Sequence, residues 1–372
     1  MTAELRCSQT GRRYAATPDR WRSDDGAPLD LVFEPRFHPD RIDANAPSLW
    51  RYRAALPIDD PRGIVSLGEG RTPLVETTLF GRPVALKLDH LAPTGSFKDR
   101  GATVLISHAR VLGVTRLVED SSGNAGAAIA AYAAAAGIAA EVFVPAATSS
   151  AKTAQISAVG ARVRAIAGDR EDVARACQAA AADAFYASHV WQPHFLHGTK
   201  TIVYEILEQR GWQAPDAIIV PAGNGTLLLG CALGLDEMAT AGLIDKLPRL
   251  IAVQAACCAP LFEAWQRGAE QPGATEAQPT VAEGIAIANP PRGAQCLEAI
   301  RRTDGFVVAV SEAQIVAAWR EVADRGLLIE PTAAAALAGW VASDLGGDVV
   351  VPLTGHGLKA ADKLAQMREV RP

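Results

Sequence analysis

The chain has 372 residues, 49% of them hydrophobic and 21% charged, with a net charge of −5 and a pI near 5.9. That length favours two domains or one large α/β unit, and the composition excludes a disordered chain. An acidic balance without a run of lysines or arginines excludes nucleic acid and anionic membranes as partners.

The N-terminal stretch MTAELRCSQTGRRYAA has no apolar segment after its positive charges, so no signal peptide is expected. Residues 1–35 carry Cys7, Gly11, Trp21, Gly26 and the run LDLVF, the rhythm of a small β-ribbon of the kind that holds zinc with paired cysteines. The positions where partner ligands would stand are Thr10, Ser23 and Asp25. One thiolate cannot build a four-coordinate zinc site, so the expectation is a degenerate ribbon without metal.

Strand candidates then follow as VALKL (84–88), TRLVE (115–119), AEVFV (140–144), RVRAI (162–166), AIIV (217–220), LIAVQ (250–254), FVVAV (306–310) and DVVVPL (348–353). Alanine-rich helical stretches lie between them, and apolar strands alternating with helices predict parallel sheets covered on both faces. The longest apolar run, AGAAIAAYAAAAGIAAEVFV (125–144), is broken by Gly137 and ended by Pro145, which predicts a packed helix and a strand rather than a membrane span. RGAEQPGATEAQP (267–279) reads as a polar surface loop. Six scattered cysteines without a CxxC pair predict a reduced, cytoplasmic protein.

Three glycine-rich stretches adjoin strands. PTGSFKDRGA holds Lys98 between an aromatic residue and an acid. EDSSGNAGAA (119–128) follows a strand and opens the alanine-rich helix, where backbone N–H groups and the helix N-terminus make an anion site. PAGNGTLLLG (221–230) repeats that arrangement; it is neither a P-loop nor a dinucleotide fingerprint, because its spacing is GxGxxxxG. One lysine, two anion loops and a late PLTGHGLK (352–359) are the set that a pyridoxal-phosphate enzyme needs.

In order along nearly the whole chain, WRYRAALP, SLGEGRTPLV, PTGSFKDRGA, SSGNAGAA, PAGNGTLLLG, VQAA, EPTAAAALAG and PLTGHGLK resemble the segments of fold-type II pyridoxal-phosphate enzymes of the threonine synthase family. The resemblance implies a two-domain α/β fold like that of the tryptophan synthase β-subunit, with pyridoxal 5'-phosphate as cofactor and a small amino acid as substrate. A homodimer is implied as well. Residues 36–100 and 191–372 would form the large cofactor domain, and residues 101–190 a smaller inserted domain with the substrate carboxylate loop. Lys98 would form the Schiff base and take the Cα proton. Asn124 would bond the cofactor's phenolic oxygen, Gly223, Asn224, Gly225 and Thr226 its phosphate, and Thr354 its ring nitrogen. Ser121, Ser122 and Gly123 would line the substrate carboxylate site.

The chain departs from the family at the substrate. Where threonine synthases carry the pattern NSxNPYRxxGxKT, this chain reads HVWQPHFLHGTKT (189–201). His189, Val190 and Phe195 stand where Asn, Ser and Arg would bind the phosphate of O-phosphohomoserine, and Ala125 replaces a threonine. Pro193, Gly198, Lys200 and Thr201 remain. Three readings stay open: a lyase or synthase acting at the β or γ carbon of another small amino acid, threonine synthase itself, and a catalytically dead sensor. His189, His194 and His197 are expected as walls of the altered pocket. The double change Phe195→Arg with Val190→Ser is expected to move activity back toward the phosphorylated substrate.

Overall fold

The structure, a computed structural model, describes residues 4–369. Its strands are β1 (Glu4–Cys7), β2 (Arg13–Ala15), β3 (Leu29–Val32), β4 (Leu74–Leu79), β5 (Arg82–Lys87), β6 (Arg116–Glu119), β7 (Ala139–Pro145), β8 (Arg162–Ile166), β9 (Phe185–Tyr186), β10 (Ala217–Pro221), β11 (Arg249–Ala255), β12 (Phe306–Val310) and β13 (Val349–Pro352). The chain forms two compact units: residues 1–71 with 98–199, and residues 72–97 with 200–372. These cuts fall at 71/72, 97/98 and 199/200, whereas the sequence suggests 35/36, 100/101 and 190/191.

The first unit holds the ribbon and a parallel sheet of order β8-β7-β6-β9. The apolar run 125–144 is a helix, Asn124–Ala136, then β7; Gly137 ends the helix at φ 70°, a left-handed turn that glycine adopts without cost. The second unit holds a sheet of order β12-β11-β10-β13-β5-β4. It is parallel except at its edge, where β4 pairs with β5 antiparallel. Phe80 (φ 52°) and Gly81 (φ 72°) make that tight hairpin with two left-handed residues in succession. Among the described residues no helix is long and apolar enough to cross a membrane.

The ribbon is a three-stranded antiparallel sheet of order β2-β1-β3. Cys7 is buried in it, and the Thr10 amide donates to its sulfur at 3.5 Å. Ser23 is buried and accepts the Ala27 amide at 2.9 Å. The Cys7 sulfur, the Ser23 hydroxyl and backbone bonds thus hold the turns of the ribbon. Metal analysis is expected to find far less than one zinc per chain, and a chelator to leave the melting temperature unchanged. A stoichiometric zinc lost together with stability would overturn this.

Candidate active site

In each sheet, chain order reverses direction at one point, and loops leaving neighbouring parallel strands diverge there to open a crevice. In the first unit this point lies between β6, which leads outward to β7 and β8, and β9, which returns on the other side. The loop after β6 contains Ser121, Ser122 and Gly123, and the loop after β9 contains His189 and Val190. A Cβ at Gly126 would lie 1.8 Å from the Ser121 carbonyl oxygen, so only glycine lets the first loop turn this tightly into the helix. Gly123 caps that helix without a side-chain bond, and the first turn carries no acid. Its amide donates to Ser121 Oγ at 3.3 Å. The helix end therefore presents N–H groups and a positive dipole to an anion. Asn124 and Ala125 are its first two residues, the former half-buried and the latter buried.

Lys98 opens the helix Lys98–Val111 and is half-buried, while Asp99 and Arg100 behind it are buried. The helix is seated by close approach to Pro193–Thr199. A Cβ at Gly101 would lie 2.3 Å from the Phe195 ring, and one at Gly198 would lie 1.9 Å from the Arg100 carbonyl oxygen. The Lys98 ammonium stands 5.5 Å from the centre of the Phe195 ring. Glu69 ties the turn of SLGEG to the helix Asn124–Ala136, accepting from Ser66 Oγ at 3.0 Å, the Leu67 amide at 2.8 Å and the Tyr132 hydroxyl at 2.8 Å.

At the end of β6, Glu119 is wholly buried, and its Oε1 lies 2.9 Å from His189 Nδ1. Burial, reinforced by Asp120 next door, holds the Glu119 carboxyl well above its ordinary range. Burial, then the Lys98 and Arg170 cations, pushes the His189 imidazole well below its own. Burial thus drives each group of this contact toward its uncharged form.

In the second unit the reversal lies between β10 and β13. Residues 222–225 follow β10 and lead into the helix Thr226–Thr240, and Thr354 follows β13. Gly225 caps the helix at φ 79°, with no side-chain cap bond and no acid in the first turn. A Cβ there would lie 2.1 Å from Cys296 Sγ, and one at Gly223 would lie 2.9 Å from the Gly284 carbonyl oxygen. Thr354 is buried and donates to Glu330 Oε1 at 3.3 Å. Its carbonyl accepts the Phe97 amide at 3.0 Å, so the turn that precedes Lys98 in the chain is bonded to this loop. Two other lysines here are engaged. Lys87 donates to Glu205 at 2.8 Å, Gln209 at 2.9 Å and the Thr72 carbonyl at 2.6 Å, and Lys200 donates to Glu237 at 2.7 Å.

The first unit thus brings His189 and Phe195 to Lys98 and puts the loop 121–125 on the strand that carries His189's partner. The second unit places 223–226 and Thr354 on adjacent strand ends. Sequence reasoning does not single out Glu119 or Glu330; the available signal is an acid at the end of a strand immediately before a glycine loop, and another immediately before Pro331. Phe195 is wholly buried in an apolar cluster with Val65, Ala102 and Leu105. A guanidinium there would displace core atoms beside Lys98. Of the three histidines only His189 meets Glu119. His194 stacks on His108 with ring centres 3.6 Å apart, and His197 stands edge-on to Phe33 at 5.5 Å.

The His108–His194 stack has a consequence for acid stability. Burial lowers His108 to about 4 from 6.5, and burial with its neighbours holds His194 well below 6.5. The unfolded chain binds these protons from about pH 6.5 downward while the folded chain refuses them, so stability falls as pH drops from 6.5 toward 4. Denaturant unfolding is expected to show about 1–2 kcal/mol less stability at pH 5 than at pH 7 from His108 alone, because each pH unit in that window costs about 1.36 kcal/mol per proton refused. His108→Phe should flatten that slope; a slope unchanged in this variant would refute the assignment.

Comparison with known proteins matches residues 65–355 to the family described as pyridoxal-phosphate dependent enzyme. A threonine synthase of Methanocaldococcus jannaschii is 32% identical, the alignment covering 98% of this chain and 95% of that protein. A threonine synthase of Mycobacterium bovis is 37% identical, with 86% and 91% covered. Among solved structures, a threonine deaminase of T.th. superposes with a TM-score of 0.65 at 29% identity, over 77% of this chain and 92% of that one.

Proposed function

We propose, from the premise that this chain belongs to the pyridoxal-phosphate dependent enzyme family as a homologue of threonine synthases, that it is a lyase or synthase. It would eliminate or replace a substituent at the β or γ carbon of a small amino acid other than O-phosphohomoserine. Members of the family use pyridoxal 5'-phosphate, which when bound supplies an electron sink that weakens the bonds at the substrate Cα.

The residues present fit this cofactor. At 223–226, the loop after β10 opens the helix Thr226–Thr240 with no side-chain cap bond and no acid in its first turn, and such a helix N-terminus suits a phosphate. Gly223, Asn224, Gly225 and Thr226 would hold that phosphate, Asn124 the phenolic oxygen and Thr354 the ring nitrogen. Lys98 would hold the cofactor covalently and take the substrate's Cα proton at Nζ. The hydroxyls of Ser121 and Ser122 and the Gly123 amide would orient the substrate carboxylate at the helix end.

One observation carries the choice of substrate: the aromatic ring beneath Lys98 is a wholly buried phenylalanine, packed between Gly101 and His189. Where the family's pattern has a guanidinium for phosphate, this chain has apolar atoms. A second reading, threonine synthase proper, is favoured by relatives 32% and 37% identical over most of their length. A panel of small L-amino acids mixed with the holoenzyme separates the two. The expected result is a change in cofactor absorbance and product release with unphosphorylated substrates. Threonine formed only from O-phospho-L-homoserine would establish the second reading instead.

A further inference from the structure

The pair Glu119–His189 deepens the reading above and rests on it. Both residues leave the sheet of the first unit at its reversal point, Glu119 at the end of β6 and His189 just after β9, the strand that pairs with β6. The imidazole stands edge-on to the Phe195 ring at 5.9 Å, and the same ring lies 5.5 Å from the Lys98 ammonium. Glu119 Oε1 is on His189 Nδ1 at 2.9 Å, whereas Oε2 is buried with no hydrogen-bond partner among the described residues. The charged groups acting on the pair are Lys98 on the helix Lys98–Val111, Asp120 in the loop after β6, and Arg170 at the start of the helix Arg170–Ala180.

This arrangement selects a tautomer. Burial drives the Glu119 carboxyl toward its protonated form. Its O–H needs an acceptor, and a buried hydroxyl donor without one costs about 1–3 kcal/mol. Oε2 has no hydrogen-bond partner among the described residues, so the proton sits on Oε1 and is donated to Nδ1. The single N–H proton of the neutral ring then resides on Nε2, the nitrogen turned away from Glu119.

We propose that His189 is the general acid for the departing group, positioned by Glu119, and that the substrate therefore loses an unactivated hydroxyl. A phosphate departs as a stabilised anion and needs no proton. A hydroxyl leaves as a strong base and does need one. The loss of phosphate ligands and the presence of a buried acid are thus two sides of one change. For a β-hydroxyl, Lys98 Nζ takes the Cα proton, and the electron pair of that bond becomes the new Cα–Cβ bond. The C–O bond breaks with its pair on oxygen, Nε2–H protonates that oxygen, and water leaves. The Oε1 proton moves to Nδ1, so the pair carries one negative charge opposite the Lys98 ammonium. Return of the Lys98 proton to the pair resets both.

The test uses the holoenzyme and the variants His189→Gln and Glu119→Gln. L-serine, L-threonine and L-homoserine are compared with β-chloro-L-alanine, whose chloride departs without a proton, by following release of 2-oxo acid. Wild type is expected to turn over at least one hydroxyl substrate. In His189→Gln the rate on that substrate should fall at least about 100-fold, within the range for loss of a general acid. The fall should be at least tenfold greater than the fall on β-chloro-L-alanine. Glu119→Gln should show the same bias, more weakly. Equal losses on both classes would mean a structural role and overturn the inference. Elimination of chloride without turnover of any hydroxyl substrate would overturn it while leaving the proposed function standing. No turnover of any member would overturn both. Independently of activity, 15N NMR of histidine-labelled holoenzyme, with His189 identified by its loss in the variant, should show a protonated Nε2. A bare Nε2 leaves no proton to give and refutes the proposal even if neither variant folds.

Discussion

Replacing Lys98 by alanine is expected to lower turnover by at least about 10⁴-fold, the upper range for a positioned general base, because the same nitrogen is also the covalent anchor. The fold should survive. Lys98 is half-buried, and the helix it opens is seated by Gly101 against Phe195 and by Gly198 against Arg100, contacts that the alanine variant keeps. Its stability should therefore stay within about 1 kcal/mol of wild type. After borohydride reduction, peptide mapping of wild type should find the cofactor on Lys98, and the variant should retain none. The two other candidates described above are committed elsewhere: Lys87 is buried on Glu205 and Lys200 on Glu237. Cofactor fixed to either would sink the assignment.

For O-phospho-L-homoserine, kcat/KM is expected to lie at least about 100-fold below that of the best unphosphorylated substrate. Phe195 is 0% exposed, Val190 7% and Ala125 2%, so at three of the four positions where the resemblance implies phosphate ligands the side chain offers no donor. Leaving phosphate oxygens without partners costs several kcal/mol, and each 1.36 kcal/mol is about a factor of ten. Family-typical threonine production from the phosphorylated substrate would refute the argument. Restoring the arginine is not a simple reversal. Phe195→Arg would place a cation in the cluster of Val65, Ala102 and Leu105, within reach of the Lys98 ammonium, and an uncompensated buried charge costs about 3–5 kcal/mol. The variant is expected to unfold at distinctly lower denaturant concentration than wild type. A stable variant active on the phosphorylated substrate would show that this core is looser than its packing indicates.

Much of the architecture is legible in the chain before any folding is considered. All eight strand candidates become strands, because a short β-branched run flanked by helical periodicity carries its own signal. β4 and the two-residue β9 are missed: the first alternates weakly at a sheet edge, and the second is too short to show a period. The three loops are legible for the same local reason, since a glycine turn between strand and helix is written in consecutive residues.

What the sequence by itself determines, then, is the fold class and the cofactor family. Which distant side chains become partners is decided by strand order and by the direction each side chain faces. Glu119 and His189 are 70 residues apart and meet only because β9 returns beside β6. Lys87 and Glu205, 118 apart, meet only within the folded second unit. Phe195, where the resemblance implies a phosphate ligand, packs into the core, because Gly101 leaves the space that its ring fills. Burial then alters the chemistry of the groups so placed, driving an acid and an imidazole toward their uncharged forms. Removal from water acts on each group in its final surroundings, and those surroundings exist only after the chain has folded.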